Sequence, residues 1–489
     1  MGGEFFRMSD AKIHEVFSRM IVLKNPKRSE FFNNLSLPSY MRDWLVMKFS
    51  DDEGNVDYDS VRRYIKRYIP GREDYEGLKY DMINGETVKF LARVRLSVDI
   101  KTGRTLFELP DFGGVKADAA GEVADVVVAE WRDTLLSESE NWGIIELVRE
   151  EDYSSRKPRG FIKLSGYNQF CPYTVDLEYY KEARREFTTQ EWIDVLISAA
   201  DYNPSGYESE SQKLCFLRRL LPFPEKRVNI MELAPKGTGK SYVYQKISKR
   251  GWLISGGTVS RASLIYDNAK KSGGLITRFD FVGFDEIQSM SFVQPAQIQT
   301  ALKDYMEFGE AKGFDASIVA DAGIVVLGNI NAERFSVNSN MVQQISPVFR
   351  ESASLDRFHG FIPGWELPRM HQGLIANGWA LNTEYFAEVL HLMRDDLSYA
   401  AIVDECLLLP PKPDQRDLTA IKRLCTAFVK LIFPNAEKRD DIPAEDFVKY
   451  CLNPAKEMRA VIKKQLCIVD PKEFDVPGRR DIPDIQYRY

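Results

Sequence analysis

The feature that most constrains this sequence is a glycine-bearing loop between an apolar run and a helix-like segment. Residues 228–241 read Val-Asn-Ile-Met-Glu-Leu-Ala-Pro-Lys-Gly-Thr-Gly-Lys-Ser, and Tyr-Val-Tyr-Gln-Lys follows. This order predicts a buried strand, a P-loop that cradles phosphate, and a helix. Gly237 and Gly239 allow the loop N–H groups to turn inward. The start of the helix adds partial positive charge that favours an anion.

The loop predicts a site for ATP with Mg²⁺. Lys240 can reach the β- and γ-phosphates, and the Ser241 hydroxyl can ligate the metal ion. The loop departs from the usual pattern at Ala234, which replaces the first glycine, and alanine fits there if its φ is negative. An ordinary strand-loop-helix turn is the alternative. The residues expected to contact the nucleotide are Pro235, Lys236, Gly237, Thr238, Gly239, Lys240 and Ser241.

Length and composition predict a soluble chain of several domains. The 489 residues are 44% hydrophobic and 28% charged, and the net charge is −6. Nucleic acid would therefore have to bind to local basic patches. No apolar run is long enough to cross a membrane, and the N-terminus lacks the apolar region of a signal peptide. Six scattered cysteines without a C-x-x-C pair predict no zinc site and fit a reducing compartment, so we expect a cytoplasmic protein with no membrane partner.

Two more strand-like runs end in polar residues that can complete a hydrolytic site. The run 279–284 precedes Asp285 and Glu286, about 45 residues after the P-loop, which is the form of a Walker B motif. Asp285 can hold Mg²⁺, and Glu286 can act as a general base toward water. The run 323–328 precedes Asn329, which can orient that water beside the phosphate crevice. A plain strand-end turn is the alternative for Asn329.

Arginines further along the chain can act on the γ-phosphate. Arg357, within Leu-Asp-Arg-Phe, resembles an arginine finger that one protomer offers to its neighbour's nucleotide. Arg350 is a second candidate, and an internal ion pair is the alternative. Arg416 begins a predicted helix and Arg423 lies two turns later. Either can be a sensor 2 arginine that leans over the nucleotide, and we favour Arg416.

The order of predicted elements indicates an α/β core between a β-rich segment and a helical lid. The alternation over residues 90–100 and the strand-like run Val126–Val128 predict a small, OB-like barrel. Within the core we predict a helix from Ser263 to Lys271. The predicted segments are residues 1–82 (helical), 83–172 (β-rich barrel), 173–370 (P-loop core), 371–436 (helical lid) and 437–489 (helix and tail).

The β-rich segment carries basic residues that predict contact with nucleic acid. A positive surface on a small barrel suits a nucleic-acid backbone, although ordinary surface charge is the alternative. The candidates are Arg93, Arg95, Arg156, Lys157, Arg159 and Lys163.

Several longer strings resemble a single family. Besides the P-loop, these are Leu-Ile-Ser-Gly-Gly-Thr from residue 253, Asp-Arg-Phe-His-Gly-Phe-Ile-Pro-Gly-Trp-Glu from 356 and Gln-Arg-Asp-Leu from 415. They closely resemble BrxL, the Lon-like AAA+ family of BREX phage-defence systems. The likeness is strong over residues 185–435 and weaker before them. It implies an AAA+ P-loop ATPase core with a helical lid.

The resemblance also implies partners and an assembly. Members of the family are expected to form a homo-oligomeric ring, a hexamer or stacked hexamers, that hydrolyses ATP and acts with other BREX components against phage. The implied ligand is DNA, expected to be double-stranded. The family is similar to MCM helicases, so the β-rich segment is expected to be MCM-like. By that likeness residues 308–322 would form a pore hairpin with Lys312 facing DNA.

Two further expectations complete this interpretation. About fifty residues follow the predicted lid, fewer than a Lon-type protease domain with its Ser-Lys dyad needs, so we expect no peptidase activity. The alternatives to an ATPase that encircles or translocates DNA are a protein unfoldase or remodeller, which aromatic pore residues would favour, and a nucleotide-switched clamp with negligible turnover.

Overall fold

A computed structural model describes residues 8–25, 39–51, 55–70, 74–100, 102–109, 121–137, 141–152, 159–170, 175–267, 272–312, 317–330 and 337–489. The chain divides into two compact units. One is formed by residues 45–174, and the other combines residues 1–44 with 175–489. None of the helices in the described ranges has an apolar stretch long enough to cross a bilayer.

The smaller unit contains a closed barrel, which five strands form within its described residues. Phe90, Ala92 and Val94 on its first strand are buried, as alternation with period two predicts. Gly103 has φ +70° and closes the hairpin that follows this strand. The small barrel predicted from these strands is therefore present. The described strands are Val88–Asp99, Arg104–Glu108, Gly121–Val123, Asn141–Asp152 and Arg159–Gln169, and the helices are Tyr58–Tyr68, Tyr75–Ile83 and Asp125–Ser137.

The strand predicted at Val126–Val128 is wrong, because these residues lie in the helix Asp125–Ser137. Three consecutive β-branched residues favour a strand when they are considered alone. The longer pattern decides otherwise, since Val127 and Leu135 are buried and Trp131 packs against the same core while Val126 is 72% exposed. Spacings of four residues place Val127, Trp131 and Leu135 on one face of a helix.

A parallel sheet organises the larger unit and brings the P-loop, Asp285 and Asn329 to one edge. Within the described residues the sheet has five strands, in the spatial order 360–363, 230–234, 323–329, 281–285 and 251–255. The strands Ile230–Ala234 and Phe281–Asp285 are buried throughout, as in a sheet covered on both faces. Ala234 pairs directly with Asn329. Because all strands run in one direction, the P-loop, Asp285 and Asn329 lie at the same carboxyl edge.

Helices and short strands surround this sheet. The segment 371–436, which is predicted to be helical, contains the helices Thr383–Leu392, Ser398–Cys406 and Gln415–Ile432. The described helices of the larger unit are Met8–Phe17, Leu177–Arg185, Thr189–Ala199, Glu210–Leu217, Lys240–Lys246, Arg261–Leu264, Pro295–Phe308, Pro347–Arg350, Ser352–Leu355, Thr383–Leu392, Ser398–Cys406, Gln415–Ile432, Ala444–Phe447, Asn453–Val469 and Pro471–Phe474, and Ser39–Lys48 spans the boundary at residue 45. The short strands are Ile21–Lys24, Thr258–Val259, Tyr266–Asp267, Ser272–Gly273, Ser291–Phe292, Glu310–Lys312, Ser317–Val319, Gly378–Leu381, Leu407–Leu408 and Gln486–Tyr487.

The helix predicted from Ser263 to Lys271 ends much earlier than expected. The structure has one turn of helix, Arg261–Leu264, and Tyr266–Asp267 then pairs antiparallel with Ser272–Gly273. The N–H of Gly274 donates to the Ile265 carbonyl, and a Cβ at Gly274 would lie 2.4 Å from the Leu264 backbone. The close return of the chain at this glycine competes with helix continuation.

The first residues of the chain belong to the larger unit. Ile21–Lys24 pairs antiparallel with Gly378–Leu381. The Lys24 ammonium is 6% exposed and lies 2.6 Å from Asp201 Oδ1 and 3.6 Å from Asp43 Oδ2. A buried ammonium is tolerated because carboxylates and hydrogen bonds surround it. Part of the predicted segment 1–82 is thus built into the unit that carries the P-loop.

Lys24→Met should destabilise the larger unit by about 3–5 kcal/mol, because it leaves Asp43 and Asp201 buried with less compensating charge. Lys12→Met is the matched control, since Lys12 and Glu191 form a part-exposed pair worth about 0–1 kcal/mol. Urea denaturation followed by tryptophan fluorescence measures both changes. Equal shifts of the two midpoints would contradict the role given to Lys24.

Candidate nucleotide site and arginine cluster

The P-loop has the backbone conformation that its sequence predicts. Gly237 and Gly239 have φ values of +82° and +76°, and the helix Lys240–Lys246 begins directly afterwards. Ala234 ends the strand with extended backbone, so its φ is negative and the departure from the glycine pattern is accommodated. Its methyl group faces Gly364, where an added Cβ would lie 2.4 Å away. The space taken by the alanine is therefore provided by a glycine on the opposite side.

Hydrogen bonds from the surrounding scaffold fix the orientation of the loop peptides. The Gly237 carbonyl accepts from the Met370 N–H at 2.7 Å, and the Gly239 carbonyl accepts from the Tyr202 hydroxyl at 3.0 Å. The Thr238 carbonyl between them accepts from Arg219 at 2.9 Å. In a trans peptide the N–H points away from the carbonyl. Three successive N–H groups, those of residues 238–240, are thereby turned away from the scaffold, which is the arrangement of an anion-binding nest.

A buried ion pair between Arg219 and Glu232 holds the P-loop against the strand Ile230–Ala234. Arg219 is 1% exposed and Glu232 is 0% exposed, and Arg219 Nε lies 3.0 Å from Glu232 Oε2. Burial alone would lower the pKa of Arg219, but the Glu232 carboxylate outweighs it and holds that pKa above its usual value. The guanidinium also donates from Nη1 to the Thr238 carbonyl and from Nη2 to the Thr238 hydroxyl. One side chain thus ties the P-loop to the strand that precedes it.

Lys240, Asn329 and Asp285 converge at the carboxyl edge of the sheet. Lys240 Nζ donates to Asn329 Oδ1 at 2.5 Å. Burial lowers the pKa of Lys240 below its usual value, while the carboxylates of Glu232 and Asp285 oppose this effect. An anion in the cradle would stabilise the charged ammonium in the same way as these carboxylates.

Glu286 has strained backbone at the point where the strand ends. Its φ is +50°, a value that a non-glycine residue adopts at some cost and that is frequent at functional sites. The Glu286 N–H donates to Asp285 Oδ1 at 2.9 Å, and its side chain is exposed. Gln288 donates to the Asn329 carbonyl at 2.6 Å and fixes the end of the neighbouring strand.

The described residues fit a nucleoside triphosphate with Mg²⁺. The oriented N–H groups and the buried ammonium of Lys240 supply donors for phosphate oxygens. Ser241 directly follows Lys240, and a hydroxyl with a carboxylate such as Asp285 is a donor set that Mg²⁺ accepts. When bound, the ion would neutralise negative charge that develops on the phosphates.

A second cluster of charged side chains lies at the opposite edge of the sheet. We call Arg357, Arg416, Asp356 and Glu307 the arginine cluster. Arg357 lies three residues before Gly360, the first residue of the strand Gly360–Pro363. Gly360 pairs with Ile230, the first residue of the P-loop strand. Five residues of strand separate the cluster from the P-loop, about 16 Å at ~3.3 Å per residue.

Ion pairs hold the two arginines of the cluster. Arg357 Nε lies 3.2 Å from Glu307 Oε2, and the Arg357 side chain is 14% exposed. Burial lowers the pKa of Arg357 below its usual value, and the carboxylate of Glu307 opposes this effect. Arg416 Nη1 lies 2.7 Å from Asp356 Oδ2, and its Nη2 lies 3.1 Å from Glu307 Oε2. The internal ion pair considered as an alternative for Arg357 is therefore present, although with Glu307.

The structure places Arg416 at the arginine cluster, away from the P-loop of its own protomer. A sensor 2 arginine of the same protomer would have to reach the P-loop, but Arg416 contacts residues at the other end of the sheet. Arg423, the other sensor 2 candidate, is on the same helix and donates to the Arg227 carbonyl. Arg350, the other finger candidate, donates to the Gln343 carbonyl. A direct role of Arg416 on the nucleotide of its own protomer does not fit this arrangement.

The helix Asn453–Val469 fixes the turn that carries Arg357, through Arg459. Arg459 is fully buried and donates to Asp356 Oδ1 at 2.7 Å and to the carbonyls of Asp356 and Phe358. Its Nε donates to Asp417 on the helix that begins with Gln415 and Arg416. Sequence reasoning missed Arg459 and Arg219, because an arginine within an apolar helical stretch is usually predicted to be exposed.

The residues proposed for DNA contact are only partly described. Arg95 lies 3.9 Å from Glu108, Lys163 lies 2.9 Å from Glu150, and Arg93 lies over the Trp142 ring. The carboxylates of Glu108 and Glu150 offset the positive charge of Arg95 and Lys163, whereas the Trp142 ring leaves the charge of Arg93 unchanged. Arg156 and Lys157 lie outside the described residues, and for Arg159 only the backbone is described.

The predicted hairpin before the strand Gly323–Asn329 is present. Glu310–Lys312 pairs antiparallel with Ser317–Val319, with Lys312 opposite Ser317. The tip at residues 313–316 and the Lys312 side chain lie outside the description. At the base of the hairpin Phe308 is 68% exposed and Val319 is 72% exposed.

Comparison with known proteins identifies the family. A family model described as "Lon-like protease BrxL-like, ATPase domain" matches residues 162–478. A second model, described as "BREX system Lon protease-like protein BrxL N-terminal", matches residues 15–149. The chain belongs to the BrxL family. The resemblance inferred from the motifs is confirmed, and the ATPase-domain match implies nucleotide binding and contains both the P-loop and the arginine cluster.

Two BrxL relatives show how much of such a protein the chain spans. "Lon-like protease BrxL" of Escherichia coli O9:H4 (strain HS) is 34% identical over 302 residues, which cover 61% of this chain and 42% of the relative. "Lon-like protease BrxL" of Bacillus cereus (strain H3081.97) is 28% identical over 464 residues, which cover 93% of this chain and 66% of the relative. The chain thus spans less than two thirds of the length of either relative.

Arg219→Met should lower stability by about 3–5 kcal/mol, because it leaves Glu232 as an unpaired buried charge, and should weaken ATP binding through the loss of the Thr238 contact. Arg218→Met is the matched control, because the partner of Arg218 is Glu457, which is 63% exposed and can be solvated. Denaturation midpoints and ATP titration calorimetry test the pair. Similar losses for the two neighbouring arginines would refute the supporting role of Arg219.

Proposed function

We propose that this chain is a DNA-binding AAA+ ring ATPase of a BREX-type anti-phage system. The observation that supports it most is the placement of a triphosphate cradle and an arginine cluster at opposite edges of one sheet. The strand order of the sheet and the helices after it fit an AAA+ core with a lid, and the closed barrel of the smaller unit fits an OB-like, MCM-like domain. The residues at each edge have the chemistry that phosphoryl transfer to water requires.

The first half of the mechanism uses residues of one protomer. The N–H groups of residues 238–240 and the Lys240 ammonium bind the β- and γ-phosphates. Ser241 and Asp285 would hold Mg²⁺, which would supply positive charge to the phosphates. Asn329 accepts from Lys240 and would orient the attacking water. Glu286 accepts the proton of that water, and its exposed side chain leaves it accessible from the open side of the site.

The second half of the mechanism requires a neighbour. Within one protomer Arg357 lies about 16 Å from the P-loop along the strands, so it cannot stabilise charge on its own γ-phosphate. A head-to-tail neighbour places one protomer's cluster against the other's cradle, and repetition of that contact closes a ring. Arg416 is adjacent to Arg357 and is therefore assigned to the same action in trans. A hexamer or stacked hexamers agree with the family likeness.

The proposed DNA ligand rests on the hairpin and the family likeness. The hairpin Glu310–Val319 leads into the strand that ends at Asn329, so a ligand that moves the hairpin acts on an element of the nucleotide site. Lys312 would contact DNA phosphate, with duplex DNA as the expected form. The barrel contributes through its basic residues, including those outside the described ranges.

A protein remodeller is the second candidate, and one observation favours it. Phe308 and Val319 are both exposed apolar residues at the base of the hairpin, and aromatic pore residues can grip an unfolded peptide. A nucleotide-switched clamp would use the same cradle with negligible turnover. Measured ATP turnover separates the clamp from the two motor candidates.

Arg357→Ala and Glu286→Gln should each lower kcat by roughly a hundredfold or more, while both keep ATP binding. Mixing the two variants should restore activity, because some interfaces then combine an intact Glu286 site with an intact Arg357. Steady-state ATPase assays of mixed rings measure this. Mixing Glu286→Gln with Lys240→Ala is the control and should restore nothing, since both lesions affect the same side of the interface. Equal results for the two mixtures would refute action in trans.

DNA binding should weaken steeply as salt rises, because phosphate contacts release counterions, with a log–log slope of about −0.9 per contact on duplex DNA. Lys312→Ala should make that slope shallower, whereas Lys422→Ala, a surface lysine paired with Asp404, should not. Fluorescence anisotropy with a duplex and a single strand of equal length measures both effects. Binding that is absent at low salt or insensitive to salt would favour the remodeller.

A further inference from the structure

Glu307 is the carboxylate shared by both arginines of the cluster. Its Oε2 lies 3.2 Å from Arg357 Nε and 3.1 Å from Arg416 Nη2, and its side chain is 25% exposed. A cavity of about 160 Å³ is lined by these residues together with Asp356. Two guanidinium groups that repel one another are therefore held side by side at an open cavity by one intervening negative charge.

The two arginines do not depend equally on this carboxylate. Arg416 has a second ion pair with Asp356, whose other oxygen is held by the buried Arg459. The ion pair described for Arg357 is with Glu307, and its Nη1 also donates to the Ala353 carbonyl. Loss of the Glu307 charge should thus displace Arg357 more than Arg416, and the repulsion between the two arginines would add to that displacement.

Glu307 also lies at the end of the helix that leads into the hairpin. It is in the last turn of the helix Pro295–Phe308, two residues before Gly309. Gly309 has φ +74° and the hairpin strand begins at Glu310. Tyr305 in the same turn donates to the Ala322 carbonyl, where the chain returns from the hairpin. The chain itself and the Tyr305 hydrogen bond thus connect the hairpin to the turn that carries Glu307.

We propose that Glu307 is a positioning residue that holds Arg357 beside Arg416 and links the placement of this pair to the hairpin. The inference rests on the proposed function, since it concerns the action of the pair on a neighbour's triphosphate. The carboxylate itself does not contact the nucleotide of its own protomer. It competes with the incoming phosphate for the arginines, so it also keeps them paired before the neighbour's nucleotide is bound.

The test is the variant Glu307→Gln, which keeps the shape of the side chain and removes its charge. We expect kcat to fall roughly tenfold to a hundredfold with KM nearly unchanged, because a misplaced group costs transition-state stabilisation. We also expect the response of turnover to duplex DNA to be lost. Glu351→Gln is the matched control. Glu351 pairs with Lys303, which lies one turn before Glu307 on the helix Pro295–Phe308, but this pair does not contact the arginine cluster. Its kcat and DNA response should equal those of the wild type.

Mixed rings distinguish positioning from a general loss of structure. Glu307→Gln subunits mixed with Glu286→Gln subunits should regain activity, because the lesions lie on opposite sides of an interface. Glu307→Gln mixed with Arg357→Ala should regain none, because both lesions affect the same side. Recovery in the second mixture, or in neither, would overturn the positioning role, as would wild-type kcat in Glu307→Gln alone.

The outcomes separate this inference from the function on which it rests. A wild-type ring that hydrolyses ATP and responds to DNA, together with a Glu307→Gln ring that keeps the full DNA response, overturns the link to the hairpin and leaves the proposed function intact. A wild-type chain without ATP turnover overturns the proposed function and the inference with it. Thermal unfolding of Glu307→Gln within a few degrees of the wild type is expected.

Discussion

The buried pair of Arg219 and Glu232 is the interaction on which the nucleotide site depends. A charge without water is unfavourable unless a partner and hydrogen bonds replace its hydration. Glu232 supplies the charge, and the Thr238 carbonyl uses a remaining donor of the guanidinium. The same contacts that make the buried pair tolerable therefore orient the loop peptides. The cradle is formed by the protein before any phosphate arrives, and less ordering remains to be done on binding.

The direction of the parallel strands determines what a single protomer can do. All five strands deliver their carboxyl ends to the P-loop edge, and the turn with Arg357 precedes a strand, so it must lie at the other edge. The order of the chain thus places the arginine cluster and the P-loop at opposite ends of the strands. Hydrolysis that uses both groups belongs to an interface, which connects the local geometry with the ring assembly expected of the BrxL family.

Sequence patterns predicted the elements whose signals are local. The P-loop, the strand before Asp285, the strand before Asn329 and the barrel strands each combine a regular period with a marked end. The strand predicted at Val126–Val128 was wrong because the short β-branched run was considered without Trp131 and Leu135, which continue a helical pattern. The edge at which Arg416 lies could not be predicted, because sequence order does not state to which edge of the sheet a later helix returns. Arg219 and Arg459 were missed because an arginine in an apolar helical stretch is usually predicted to be exposed, and the pattern does not show the carboxylate that allows its burial.

Tyr202 and its neighbour Asp201 also support the P-loop, which the sequence alone does not show. Tyr202 donates to the Gly239 carbonyl, and the preceding residue, Asp201, has φ +70° and accepts from Lys24, Arg42 and Tyr242. Lys24 and Arg42 come from the start of the chain, and the helix that holds Arg42 runs into residue 45, where the smaller unit begins. The strained Asp201 is thus stabilised by the segment that connects to the barrel. These three side chains hold Asp201 next to Tyr202, whose hydroxyl donates to the Gly239 carbonyl of the P-loop.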